Sequence, residues 1–349
     1  MRLLSFSSLA ILSLLWVTTV RADHHVETIL DGLNNPCGVA IQPETGDVFV
    51  ADSAAGKVVR VKDGKASDVI VEFPLGSYGK GPKFAIGPLG LLFLDKNTLV
   101  VGGGGAADGE EILSVFTIGD AGAEAKKADA TEQTFKLEGK DELKGEGNFY
   151  AITRTETHVY VTCNGDDTKG WVARAAIKDG NRLENYERYL ATKEATEVDA
   201  PVGIASSPDD ASSKFIVVGQ MGEINQEGDS LLTFYSEDKK MLLNLETGLN
   251  DITALAYSTK ARGSRKQLYA LDFSWLDTKQ GGIFRLVDDG KGGVQAKKIA
   301  GLDKPTAMAF GADGVLYVTV IGTKAEGAEK EPGKLLKIAA DSVDGEVAE

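Results

Sequence analysis

Gly32-Leu33-Asn34-Asn35-Pro36, Gly248-Leu249-Asn250-Asp251-Ile252 and Gly301-Leu302-Asp303-Lys304-Pro305 are three copies of one five-residue joint, each followed by a short apolar run. Looser copies extend the series to six starts: PCGVAI at Pro36, PLGLLF at Pro88, GNFYAI at Gly147, PVGIAS at Pro201, ITALAY at Ile252 and PTAMAF at Pro305. They are spaced 52, 59, 54, 51 and 53 residues apart. A period near fifty residues built of short apolar runs implies small sheets that bury their faces against their neighbours, since one unit alone cannot.

Within each unit the run after the joint is followed by a Gly or Asp turn and a second run: Val48 to Asp52, Leu99 to Gly103, Val159 to Cys163, Phe215 to Gly219, Leu268 to Asp272 and Leu316 to Val320. These runs are rich in Val, Leu, Tyr and Phe and bounded by turn residues, as strands are. A third strand follows at Lys57 to Val61, Ile112 to Ile118, Trp171 to Ile177, Leu231 to Tyr235, Ile283 to Val287 and Leu335 to Ile338. A more polar fourth follows in turn, as at Asp68 to Phe73, Met241 to Leu245 and Val294 to Ile299. The expected fold is all-β, a six-bladed β-propeller of four-stranded blades. The last unit runs out after its third strand, while Val26 to Leu33 reads like the strand before the sixth joint. The N-terminal strand is therefore expected to join the last blade and close the ring, leaving no exposed edge there.

The segment 1–22 reads as a signal peptide, with Arg2, an apolar stretch from Leu9 to Val20 and small residues at a cleavage site, an uncleaved anchor being the minority alternative. The apolar run falls short of the roughly 20 residues of a membrane span. A single propeller domain over 23–341 is expected, with a disordered tail at 342–349, secreted or periplasmic and with no membrane span once the signal is removed. Net charge is −14, and losing Arg2 and Arg21 takes it to −16. Such an exterior disfavours nucleic acid and suits a soluble monomer. Lys260, Arg262, Arg265 and Lys266 form one short basic patch. Cys37 and Cys163, on different blades, read as small core residues rather than a disulfide or reactive thiols. Gly102 to Gly105 lacks the Lys-Ser/Thr of a phosphate loop and reads as a flexible turn. Asp120 to Glu132 reads as a mobile charged loop.

The loops into strand one and out of strand two meet on one rim of a propeller channel. The polar or aromatic residues expected there are Asn35, Glu146, Asn148, Asp251, Lys304, Asp52, Asp272, Trp275, Glu223 and Asn225, with Tyr78 in the long connection LGSYGKGPKFA. Trp275 and Tyr78 suit stacking on a sugar or anchoring a partner. Asp52, Asp251 and Asp272 also read as turn residues bonding the local backbone.

At Pro36 to Val61, PCGVAIQPETGDVFVADSAAGKVVRV, the chain resembles an NHL repeat, with Pro-x-Gly-apolar, Gly-Asp, apolar-Val-Ala-Asp-Ser and a closing basic-apolar strand. The resemblance implies the NHL and gluconolactonase-like propeller superfamily, which hosts both binders and enzymes. It further implies that a Glu, two Asn and an Asp converging on the channel would hold a divalent ion polarising a lactone carbonyl, a set that Glu146, Asn148 and Asp52 supply in part. Quinone-dependent sugar dehydrogenases and paraoxonase-like lactonases of this kind rely on rim histidines. This chain has only His24, His25 and His158, none placed on the rim. The leading expectation is a non-catalytic binding scaffold for a protein or carbohydrate ligand at the channel mouth, with no cofactor. A metal-dependent lactonase using a cation such as calcium is the alternative, and a structural role in an envelope assembly is a third.

Overall fold

The computed structural model describes residues 26–79, 81–165 and 168–344, so the signal segment, His24 and His25 lie outside the described residues. Six sheets form the blades of a propeller. Blade one comprises Pro36–Ile41, Val48–Asp52, Lys57–Lys62 and Lys65–Val71. Blade two comprises Pro88–Phe93, Thr98–Gly103, Leu113–Thr117 and Gln133–Phe135. Blade three comprises Ile152–Arg154, His158–Thr162, Trp171–Lys178 and Arg182–Ala191. Blade four is Pro201–Ser206, Phe215–Gln220, Leu231–Ser236 and Met241–Glu246. Blade five is Ile252–Arg262, Arg265–Asp272, Gly282–Asp288 and Val294–Gly301. Blade six is Pro305–Phe310, Leu316–Val320, Gly333–Ile338 and, from the other end of the chain, Val26–Leu33. That last pairing is antiparallel, with Val26 opposite Ile338 and Leu33 opposite Gly333, so the N-terminal strand closes the ring as the joint repeat implies.

The core is divided among the six seams. Phe49, Leu99 and Phe116 pack between blades one and two, Phe149, Val159 and Leu183 between two and three, and Tyr160, Tyr189 and Tyr235 between three and four. Leu232, Ile252 and Leu268 pack between four and five, Tyr269, Leu316 and Ile338 between five and six, and Val50, Val59 and Leu335 between six and one. Alternation within each strand supplies both faces of every seam, which is why one sequence period builds the whole ring.

Four local expectations change. The outer strand of blade one starts at Lys65, because Asp63 and Gly64 both take positive φ (50° and 72°) and turn the chain in two residues. The charged loop at 120–132 is partly ordered: Lys126–Lys127 adds a parallel fifth strand to blade one, opposite Ile70 and Val71. Residues 342–344 of the expected tail belong to a short helix, Ala340–Asp344, with Val343 fully buried and its carbonyl accepting from the Tyr269 hydroxyl at 3.2 Å; residues 345–349 lie outside the described residues. Finally, Gly102 to Gly105 is a close approach and not a flexible turn. A Cβ on Gly102 would overlap the Phe149 carbonyl, and one on Gly105 the Pro74 carbonyl.

Candidate functional site

The second residue of each repeat unit points into the channel. Cys37, Leu89, Tyr150, Val202, Thr253 and Thr306, one per blade, all line the same cavity at the channel mouth. Blade three joins this ring only when its unit is counted from Phe149, two residues beyond the Gly147 start that the sequence suggests. The ring is tied together by side chains reaching the next blade: Thr162 Oγ1 donates to Val202 O at 3.0 Å, Thr253 Oγ1 to Pro305 O at 2.9 Å and Thr306 Oγ1 to Pro36 O at 2.6 Å. Tyr150 crosses the channel, its hydroxyl donating to Thr306 O at 3.0 Å. Its burial pushes the phenol far above the ordinary range, and burial likewise pushes the Cys37 thiol up to about 12. Both are neutral wall groups. Neither cysteine is in a disulfide and both are buried.

A second layer stands above this ring, set by a backbone bridge that the repeat encodes. In blades four, five and six the residue after strand two donates its N–H to the carbonyl of the residue before strand one: Met221 to Ala200 (2.8 Å), Phe273 to Asp251 (2.9 Å) and Ile321 to Lys304 (3.0 Å). The bridge points Met221, Phe273 and Ile321 over the mouth, and Asn164 takes that place on blade three.

The connection between blades one and two roofs the opening. Gly76–Tyr78 and Phe84–Ile86 pair as a hairpin, anchored at its base by Gly87 N–H on Ser53 Oγ (2.9 Å) and Asn35 Nδ2 on Ala85 O (2.6 Å). Its far end is held by three other blades. Asn164 Nδ2 donates to Tyr78 Oη at 2.8 Å, Trp275 Nε1 to Gly81 O at 3.2 Å, and the Phe84 ring meets Trp275 edge-on at 5.7 Å between centroids. Phe273 and Trp275 stack at 4.8 Å, and the Lys304 ammonium lies 5.8 Å from the Phe84 centroid. The space left is about 80 Å³, lined by aromatics with Asn35, Asn148 and Asn164 at its edge.

The acidic residues expected on the rim serve the scaffold. Asp272 accepts the backbone N–H groups of Asn250 (3.1 Å), Asp251 (2.8 Å) and Ser274 (2.9 Å), and Asp52 accepts that of Asn34 (2.6 Å), so each clips its own joint. In blade four Gln220 clips the joint in the opposite sense, its Nε2 donating to Val198 O. Asp251 accepts the backbone N–H of Trp275, and burial pushes its carboxyl up to about 6. Glu223 and Asn225 are exposed in a turn closed by Asp229, whose carboxylate accepts Glu223 N–H at 2.9 Å, away from the cavity. Of the rim candidates, Asn35, Tyr78, Asn148 and Trp275 line the mouth.

The expected metal set is not assembled. Glu146 is fully buried in the seam between blades two and three, 3.8 Å from Arg188 Nε. Asp52 faces its own joint, and only Asn148 reaches the mouth. Asn148 takes the positive φ of 46° that the joint residues Asn35, Ala200 and Lys304 also take (50°, 52° and 55°), and residues 144–151 are not strand, so Glu146 and Asn148 do not share a side as alternate residues of a strand would. The wall positions Cys37, Leu89, Tyr150, Val202, Thr253 and Thr306 include no carboxylate or amide, and among the described residues no group of three or more His, Cys, Asp and Glu could hold a metal ion. Asn148 is positioned by Glu111, whose carboxyl accepts its backbone N–H. Burial, with Asp108 beside it, pushes Glu111 up to about 8. The sequence reading passed over Tyr150, Phe84, Asn164 and Glu111. The second position of the blade-three unit as the sequence places it is Asn148, so Tyr150, like the others, emerges only from the fold.

No protein-family model and no curated protein sequence matches the chain. Solved structures do. The chain is similar to a glucose dehydrogenase at 16% identity and a TM-score of 0.62, over 90% of this chain and 99% of that one. It is similar to the PQQ-bound aldose sugar dehydrogenase of Streptomyces coelicolor at 14% identity and 0.57, over 90% and 98%. It is also similar to a gluconolactonase from Xanthomonas campestris at 16% identity and 0.57, over 91% and 89%. At these identities the likeness is one of fold: the chain is a six-bladed propeller of the kind found in sugar dehydrogenases and gluconolactonases.

Proposed function

We propose that the chain is an exported carbohydrate-handling propeller that binds a sugar or sugar lactone at its channel mouth. The observation that carries this reading is the meeting, in one opening, of the Phe273–Trp275 stack with the amides of Asn35, Asn148 and Asn164. A pyranose ring has apolar faces that suit an aromatic stack and an equator of hydroxyls that suits amides. The cavity of about 80 Å³ admits one edge of such a ring, the remainder lying against Trp275 and Tyr78. Structures of this fold named as glucose and aldose sugar dehydrogenases and as a gluconolactonase support the ligand class. A non-catalytic scaffold for a protein partner draws no support from them.

The two groups that the fold suggests do not fit these walls. A divalent ion needs converging oxygen ligands, and the wall ring is thiol, hydroxyl and aliphatic except for Tyr150. PQQ carries three carboxylates, whereas the cavity is lined by no arginine or histidine among the described residues. No step is drawn through either.

Isothermal titration with glucose tests the reading. Saturable binding that weakens about 10-fold in Trp275→Ala, in line with loss of one aromatic contact, is expected. Absence of binding, or binding indifferent to Trp275, sinks it. Lactone hydrolysis is the second reading, favoured by the gluconolactonase likeness. A pH-stat assay with a sugar lactone and calcium decides it: turnover above the spontaneous rate that vanishes in Asn148→Ala supports hydrolysis, and the spontaneous rate alone rejects it.

A further inference from the structure

Lys304 sits immediately before the first strand of blade six, 9% exposed, behind Phe84. Its ammonium donates to Gly322 O at 3.1 Å and faces the Phe84 ring, and it forms no ion pair among the described residues. The neighbouring carboxylate in sequence, Asp303, accepts from Thr323 Oγ1 at 3.1 Å. Asp251, on the adjacent blade, accepts the backbone N–H of Trp275.

A buried ammonium with one carbonyl and one aromatic face recovers only part of its lost hydration, and burying a charge without a counter-charge is costly. The scaffold does not require it. At the same joint position blades one, three, four and five carry Asn35, Asn148, Ala200 and Asp251, and the bridge from Ile321 N–H to Lys304 O uses the backbone alone. In a chain of net charge −14 such a buried cation is a local exception to the prevailing charge.

We infer that the ligand of the mouth is an acid sugar whose carboxylate pairs with Lys304, just outside the cavity lining, when the Phe84 ring that now covers the ammonium turns aside. The inference rests on the carbohydrate reading of the same site and narrows it from neutral sugars to uronates and related sugar acids. The ring stacks on Phe273 and Trp275 as a neutral sugar would, and the carboxylate replaces the weaker cation–π partner with a charge-assisted hydrogen bond.

Glucose and sodium glucuronate share a ring and differ by one carboxylate, so titrating each into wild type, Lys304→Gln and Lys304→Arg isolates the charge. Glucuronate is expected to bind at least about 10-fold more tightly than glucose in wild type and in Lys304→Arg, and to lose that preference in Lys304→Gln with glucose affinity unchanged. Equal affinities in wild type overturn the inference and leave the carbohydrate reading standing. So does a Lys304→Gln variant that weakens both ligands alike, which marks a structural lysine. Binding of neither ligand removes the carbohydrate reading and the inference together. Should Lys304→Gln not fold, wild type decides by salt: a preference for glucuronate that shrinks as salt rises supports the pair, and one indifferent to salt overturns it.

Discussion

The channel mouth and the wedge between blades four and five are opposite kinds of space. The mouth encloses about 80 Å³, and Tyr150, Asn164 and Trp275 around it each bond a group on another blade or on the roof. The wedge, at the periphery where blades splay apart, is about 900 Å³, lined by Phe215, Phe234, Leu243, Tyr257 and Leu286. Other seams are bridged by close ring pairs: Phe73 against Phe116, Phe135 against Tyr186, Tyr160 against Tyr189, and Tyr269 against Phe310 with Val343 of the terminal helix behind it. Between blades four and five the outer strand Met241–Glu246 instead leaves Leu242 and Leu243 exposed. Volume here follows from ring geometry, whereas a site is marked by groups from distant parts of the chain converging on one point.

The sharpest separation of the two regions is electrostatic. Glu111, which holds Asn148 at the mouth, is buried with its carboxyl raised from 4.5 to about 8, while the wedge acids Asp210 and Asp288 are exposed. A carboxyl whose folded pKa lies above its unfolded value contributes stability that is full below about pH 4.5 and is lost as pH rises through about 8. Stability should therefore fall from pH 5 to pH 9, on the order of several kcal/mol, and is read as a falling melting temperature. Glu111→Gln should flatten the profile while keeping the acceptor for Asn148. Asp251, raised to about 6, adds a loss of the same sign at lower pH. A wild-type profile that is flat or rises over that range would refute the buried-acid account.

A mechanical contrast comes next in size. Phe84 is buried at the centre of the roof, and Phe84→Ala should cost about 3 kcal/mol, as loss of a packed phenyl does. Phe234→Ala, half-buried beside the wedge, should cost about 1 kcal/mol, since solvent already reaches the space it would vacate. Equal losses in thermal melts would mean that the roof is no better held than the wedge.

How much of this was legible in the sequence depended on which physical rule governed each residue. Strand alternation is local, so the blades and the closing strand Val26–Leu33 could be read directly. The joint marks where each blade starts but not where side chains point, because residues 144–151 ahead of blade three are not strand and follow no alternation, and Glu146 there lies in a seam beside Arg188. Asp52 and Asp272 look like ligands and are clips, a distinction made by the N–H groups left open at each joint and not by the carboxylates. Phe84 and Asn164 are separated by 80 positions, and only closure of the ring brings the hairpin bearing Tyr78 onto Asn164.

The smallest expected effect is at Leu243, and it bears on whether the larger space does anything for the smaller. The side chain is 51% exposed on an outer strand, so replacing it by lysine removes little buried apolar area and leaves the long aliphatic stem able to lie where the leucine lay. Leu243→Lys should change stability by no more than about 0.5 kcal/mol and leave ligand binding at the mouth unaltered. A drop of many degrees in melting temperature, or a change in glucose or glucuronate affinity, would show that the wedge is packed and coupled to the mouth. The two regions would then have to be treated as one responsive unit rather than as a site and a gap.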